Sequence, residues 1–408
     1  MSDLFLTKAE NPVTDRPIKV GLLGSGFRAR TILRVMSALP QWFTVVGVAA
    51  RNADDRSLLA SFGFPAYTTV EHLVTHGAPD FVVCTIPDGE ARPYLTELAA
   101  LHIPVLMETP PAGSLDDLLA LYQLVQAGAD IQVGEQYHLE PLVSAQLAVA
   151  ASDMLGEVTE AQVSIAHDYH GISVLRRALG AGFAEPLITA RQDARQIFPS
   201  PTRYRDPETL DLAPTTRTIA WFDYDSESGL PTAGSGQPRG SKLGIYDFDD
   251  SQYRSWVRSP SLVIRGPLGE LRDDIVRLVA ITAGDHSTPA DDADQVSAAA
   301  HGAVATPMAA HLERISAGGA GSHEGLFLRG YQVFGEWVYY NVFLPARLAD
   351  EELAIATMLA RMGGHVLNGT PGPYSFAEAA QDQYLSLVMK EAARTGKSIR
   401  AVRQPWAG

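Results

Sequence analysis

Between residues 18 and 134, short apolar runs alternate with amphipathic stretches, and no other feature restricts the fold so tightly. IKVGLLG, FTVVGVAA, DFVVCTI, PVLME and IQVG are the runs expected of strands buried on both faces. Helical stretches such as PYLTELAALH and SLDDLLALYQLVQAG lie between them. In the latter, Ser114 with Asp117 three residues on forms a capping box, and the helix ends near Gly128. This order predicts right-handed βαβ units and a parallel sheet.

The first strand runs into VGLLGSGFRARTIL, which places Gly24, Gly26 and Ala29 in G-x-G-x-x-A spacing at the opening of a helix. Gly24 permits a tight turn, Gly26 admits a pyrophosphate to the backbone, and Ala29 lets the helix sit close to the sheet. A Rossmann dinucleotide-binding domain is therefore expected over residues 18–140, behind an extension over 1–17. Ser25, Phe27 and Arg28 complete the predicted phosphate loop. The second strand ends in VGVAARNADD, where Ala50 stands in the place of a ribose-binding acid and Arg51 follows. An arginine there suits a 2′-phosphate, so NADP(H) is expected over NAD(H). Asp54 and Asp55 are read as caps of the next helix.

After Pro141 the pattern changes. PLVSAQLAVAASDMLG reads as a helix closing at Gly156, and VTEAQVSIAH, TRTIAWFDY, SQYRSWV, SLVIRG and GEWVYYNVF read as strands. Residues 141–408 are expected to form an α/β domain with a large, mostly antiparallel sheet, whose last helices pack back towards the first domain. Loops are expected at 229–242 and 283–295, and SFAEAAQDQYLSLVMKEAARTG reads as a helix stopped by Gly396. The sheet's open face needs cover, so a homodimer or homotetramer is predicted, with the alternating aromatics of GEWVYYNVF at its interface.

A net charge of −15 argues against nucleic acid, and no apolar run approaches the roughly 20 residues of a membrane span. Cys84 is the lone cysteine, and the N-terminus has no signal-peptide pattern, so a cytoplasmic protein is expected. His72 and His76 have a metal-binding spacing but lack a third ligand, and no metal site is assigned. Of the adjacent Arg176 and Arg177, one is expected in a buried ion pair and the other in solvent.

The phosphate loop, the segment CTIPDGEARPYLTELAALHIPVLMETPPA, GEQYHLEPLV, DYHGISVLRRALG and the closing helix together resemble the Gfo/Idh/MocA oxidoreductases. The resemblance implies a Rossmann domain followed by an α/β domain, acting on a sugar, cyclitol or related keto compound. It places Thr85 and Pro87 at the family's turn after the fourth strand, and Glu108 in its E-K-P motif. The motif lysine, which handles the reacting oxygen, falls on Thr109. The family's aspartate falls on Ala166, its turn histidine on Ala91 and its arginine before the helix on His138. Its histidine is kept, as His170.

Hydride transfer at a carbinol carbon needs a group that moves the proton on oxygen, and a histidine suits that role. His170 is the expected acid/base. An extended approach would put Asp168 on the same face to orient it, with His167 and Tyr169 opposite. Tyr137 or His138 is the expected substitute for the lysine, while Thr109 offers a neutral hydroxyl. Two alternatives stay open: a lyase or glycosidase that oxidises its sugar transiently, and a non-catalytic regulatory protein that binds the cofactor.

Overall fold

The computed structural model describes residues 14–202, 205–224, 242–283, 303–319 and 325–408. Residues 1–13 of the extension and almost all of the two expected loops lie outside the described residues.

Six strands build the first sheet: β1 (Ile18–Leu23), β2 (Phe43–Ala49), β3 (Ala66–Tyr67), β4 (Phe81–Cys84), β5 (Val105–Met107) and β6 (Ile131–Val133). Helices α1 (Phe27–Ala38), α2 (Ala53–Ser61), α3 (Val70–Gly77), α4 (Asp88–Ala100) and α5 (Leu115–Gln126) connect them. All pairings are parallel, in the order β3-β2-β1-β4-β5-β6. The order reverses between β1 and β4, which opens a crevice beyond the carboxyl ends of the strands. Ser114 caps α5 as expected, its hydroxyl accepting from the Asp117 amide at 3.2 Å.

Helix α6 (Pro141–Ala151) leads to β7 (Glu160–Ser164) and α7 (Asp168–Leu179). Then follow β8 (Leu187–Ile197), β9 (Ala213–Asp223), β10 (Leu243–Asp249), β11 (Ser261–Gly266), β12 (Gly269–Arg272), β13 (Ile275–Ala283) and β14 (Ala303–His311). The strands β15 (Glu313–Gly319), β16 (Gly325–Val333) and β17 (Glu336–Tyr340) precede α8 (Asp350–Asn368), α9 (Phe376–Thr395) and β18 (Ile399–Arg400). Among the described residues the large sheet has nine strands, β14-β13-β12-β11-β7-β10-β9-β8-β18, and only β7 with β10 pairs in parallel. A separate sheet holds β15, β16 and β17.

Two expectations change here. SQYRSWV is no strand: Gln252–Arg254 form a 3-10 turn. The buried Gln252 amide donates to the carbonyls of Ser164 at 2.7 Å and Ser259 at 2.9 Å, taking the place of a ladder partner. GEWVYYNVF supplies β17 to the small sheet, not the large one, so its aromatics do not lie on the large sheet's open face.

Helices α8 and α9 tie the halves together. Glu352 pairs with Arg34 of α1 at 2.5 Å, and His365 with Asp130 before β6 at 3.1 Å. Arg176 is the buried arginine, donating to Asp382 and Glu378 of α9. Burial pushes the Asp382 carboxyl up to about 6, against the opposing pull of Arg176. Arg177 is exposed and stacks 4.6 Å over the Tyr374 ring. Among the described residues no helix is long and apolar enough to cross a membrane.

Candidate active site

The loop between β1 and α1 opens a cleft of about 500 Å³ at the carboxyl edge of the parallel sheet. Gly24 has φ +109°, and a Cβ there would lie 2.4 Å from Thr85 Oγ1, so the turn itself demands glycine. Gly26 differs: its φ is ordinary and a Cβ would touch no protein atom. It caps α1 with no side-chain acceptor, which leaves the first amides of the helix turned toward open space. A pyrophosphate satisfies such donors, so the loop fits a dinucleotide.

Ser25, Arg51, Thr85 and Pro87 line this cleft. Phe27 opens α1 and is exposed. The Arg51 side chain is 73% exposed and pairs with Glu90 at 3.1 Å. Asn52, and neither aspartate, caps α2, because its side chain reaches the Asp54 amide at 2.8 Å. Asp55 instead accepts from Ser25 Oγ at 2.7 Å, back in the phosphate loop. Arg28 joins the loop to the end of β5, donating to Glu108 at 2.7 Å and to Gln136 at 2.6 Å. Thr109, half-buried beside Glu108, makes no hydrogen bond through its side chain among the described residues.

The second cluster gathers around His170. Its Nδ1–H donates to Glu135 Oε2 at 2.6 Å, and Glu135 is wholly buried. The other carboxylate oxygen accepts the Tyr137 amide at 2.9 Å, fixing both lone-pair faces. Helix α7 starts at Asp168, so the approach to His170 is helical and the expected pairing of faces fails. His167, three residues back, lies 5.3 Å from the His170 ring, while Asp168 turns away to Lys390 at 2.9 Å. The imidazole is therefore oriented by Glu135, not Asp168. Ala166 is buried, and an acid at that position would need a buried partner.

Tyr137 packs against His170 with ring centroids 4.8 Å apart. Its ring also lies 6.3 Å from that of Tyr253, delivered by the 3-10 turn after β10. His138 is buried against Tyr374, 5.2 Å away, with both ring nitrogens unpartnered among the described residues. Burial, with Arg177 and Arg361 nearby, lowers its pKa well below the usual range, so it is a neutral core imidazole. Burial also pushes the Cys84 thiol up to about 11, and His76 turns its Nδ1 to the His72 carbonyl.

Sequence reasoning missed two members, Glu135 and Tyr253. Glu135 opens EQYH at the carboxyl end of a strand, and that placement was the available signal. Tyr253 had none, since its segment read as a strand.

The family profile described as an oxidoreductase family with an NAD-binding Rossmann fold, Gfo/Idh/MocA, matches residues 18–135. The match places residues 18–135 with the NAD-binding Rossmann domain of the Gfo/Idh/MocA oxidoreductases. Comparison with curated proteins gives no match. Among solved structures, an oxidoreductase from Agrobacterium radiobacter, in complex with NAD+, L-tartaric acid and magnesium, is 16% identical. The match covers 94% of this chain and 98% of that one, with a TM-score of 0.61. Levoglucosan dehydrogenase with NADH is 13% identical over 95% and 100% of the two chains, with a TM-score of 0.62. The WlbA dehydrogenase of Bordetella pertussis, with NADH and UDP-GlcNAcA, is 13% identical over 96% and 99%, TM-score 0.56. At these identities the likeness is one of fold. The shared fold extends beyond residue 135, over nearly the whole chain.

Proposed function

We propose that this protein moves a hydride between a nicotinamide cofactor and a carbinol or keto carbon of a sugar, cyclitol or related compound. The observation that carries this reading is the pair of His170 with buried Glu135, whose neighbour Gln136 accepts from Arg28 of a glycine loop able to hold a dinucleotide. A bound nicotinamide supplies or accepts the hydride. His170 Nε2, the nitrogen not committed to Glu135, takes the hydroxyl proton in oxidation and returns it in reduction. Glu135 fixes the tautomer and stabilises the imidazolium, the usual task of a buried carboxylate behind a catalytic histidine. Thr109 offers the substrate oxygen a neutral hydrogen bond where relatives of the family carry a lysine. The small-molecule complexes of levoglucosan dehydrogenase and the WlbA dehydrogenase support a carbohydrate-like substrate.

NADP(H) is the favoured cofactor in this reading. Arg51 stands exposed at the end of β2 and can exchange Glu90 for a 2′-phosphate. Assembly as a homodimer or homotetramer is also part of it. Trp221, Val279 and Ile281 are 44%, 40% and 62% exposed on the face of the large sheet turned away from α7.

The test is incubation with NADP⁺ or NADPH and a panel of sugars, glycosides and keto-sugars, following nicotinamide absorbance and product mass together. Stoichiometric change in the cofactor is the expected result. Cleaved product with no net cofactor change would move the reading to a lyase or glycosidase with an internal redox cycle. Silence across the panel would favour a regulatory protein.

A further inference from the structure

One side chain of the phosphate loop reaches out of the loop and towards the cluster around His170. Arg28 stands in the first turn of α1, two residues beyond Gly26. Its guanidinium spreads over three other elements. Nε–H donates to Glu108 Oε1 at 2.7 Å, just past the end of β5. An Nη2–H donates to Gln136 Oε1 at 2.6 Å, after β6, and Nη1 stands 3.6 Å from Glu351 in the first turn of α8. Gln136 is buried, and its backbone carbonyl accepts the Leu139 amide at 2.8 Å. That bond closes the 3-10 turn Tyr137–Leu139. Gln136 therefore lies between the loop and the acid/base pair, both along the chain and in the hydrogen bonding. On one side Arg28 holds its side chain. On the other is Glu135, whose two oxygens take the Tyr137 amide and the His170 ring.

We propose that Arg28 is a positioning residue through which a dinucleotide in the glycine loop sets the Glu135–His170 pair. The proposal rests on the reading of the loop as the cofactor site and of His170 as the acid/base. A guanidinium is a planar fork with fixed donor directions, so the place of α1 dictates where Gln136 can sit. A lysine is a point charge and imposes no such angle, and an apolar side chain holds neither acceptor.

The first turn of α1 is the end that a pyrophosphate orders, because Gly26 provides no side-chain cap for its amides. An occupied loop fixes that turn, and Arg28 fixes Gln136. The chain on either side of Gln136 then carries the Tyr137 amide onto Glu135, and Glu135 onto His170. The two acceptors are not equal. Glu108 is charged and forms the stronger tie, whereas the neutral Gln136 is the link that a substitution can cut alone.

The test reads the pair itself and compares loaded with unloaded protein, so a static packing defect cancels. The His170 Nδ1–H resonance is followed by NMR with and without saturating NADPH or NADH, in the wild type and in Gln136→Met. Calorimetry gives the nucleotide affinity of each. In the wild type, nucleotide should move the resonance and slow its exchange with water about tenfold, as the bond to Glu135 tightens. Gln136→Met should bind nucleotide within about threefold of the wild type, since Arg28 keeps Glu108, yet lose that response. Its turnover should fall about tenfold with the Michaelis constant nearly steady. A full response in Gln136→Met overturns the proposal, as does a wild type that binds nucleotide and leaves His170 unmoved. If Gln136→Met does not fold, Arg28→Met decides: its response should vanish at saturation, and a full one overturns the link. Failure of the underlying reading looks different. A wild type that binds neither nucleotide removes the cofactor site and the proposal with it. A fully active His170→Ala, beside an intact wild-type response, removes only the acid/base role.

Discussion

The cleft at the glycine loop and the cluster around His170, the proposed cofactor and proton-handling sites, are built in opposite ways. The cleft is local. Its phosphate-binding geometry comes from consecutive residues, Gly24 to Ala29, in one strand-to-helix turn. The cluster is assembled from a distance. Glu135 follows β6, His167 and His170 open α7, Tyr253 sits on a turn after β10, and Lys390 comes from α9. A local site depends on a few backbone angles. An assembled one depends on several packed elements holding side chains within hydrogen-bond range, so different residue types can serve it if their geometry converges. That is how the lysine and aspartate of the resemblance can be absent while a carboxylate still stands behind His170.

The largest expected effect falls on the assembled site. His170→Ala should lower turnover by about 10²–10⁴, the usual weight of general acid–base catalysis, with cofactor affinity little changed. Full activity in this variant would remove the second site from the comparison. The mirror experiment is Gly24→Val. A β-branched residue at φ +109°, pressed on Thr85, carries about 1–3 kcal/mol of backbone strain before any clash is counted. Cofactor affinity should fall about 100-fold or more, as calorimetry would read it, while the His170–Glu135 hydrogen bond persists by NMR.

Glu135→Gln asks whether the carboxylate orients the imidazole. A hydrogen bond to a charged group contributes about 1.5–3 kcal/mol, so turnover should fall roughly 10- to 150-fold with the Michaelis constant nearly steady. Glu135→Asp should stay impaired, because the shorter side chain cannot keep the 2.6 Å contact. Wild-type turnover in Glu135→Gln would show that packing alone holds His170. In the cleft, Arg51→Ala should weaken NADPH about tenfold more than NADH. Equal losses for the two cofactors would make Arg51 a plain surface residue paired with Glu90.

The same contrast explains what could be read from the chain. The parallel sheet was legible because a strand buried on both faces is apolar throughout, as β1 and β4 are. In β8 the sequence LITARQDARQI alternates burial with polar positions, and nothing marks it until β9 pairs along its full length. Helix α8 escaped notice as well, although it braces the Rossmann sheet. At the site, His170 was legible through its motif and Glu135 only through its position. Asp168 was misassigned because a period of two was applied where the chain had already turned helical. Tyr253 lay beyond reach, since its place depends on Gln252 drawing the segment out of the ladder.

The smallest effect is expected where the resemblance predicts the largest, at Thr109. In the wider family that position carries the lysine at the reacting oxygen. Here its hydroxyl is half-buried, next to Glu108, and uncommitted among the described residues. A neutral hydrogen bond contributes about 0.5–1.5 kcal/mol, so Thr109→Val should cost roughly 2- to 13-fold in turnover per Michaelis constant. Thr109→Lys is the sharper variant. It would set an ammonium near Glu108, and Glu108 already holds Arg28 at 2.7 Å. A second cation there competes for that carboxylate and loosens the bridge from Arg28 to Gln136, the residue beside Glu135. Activity should therefore fall below that of Thr109→Val, with cofactor affinity falling alongside it. A gain in activity would mean that the arrangement the resemblance implies is intact and lacks only its lysine. The distributed cluster would then be an addition to the familiar site and not its replacement.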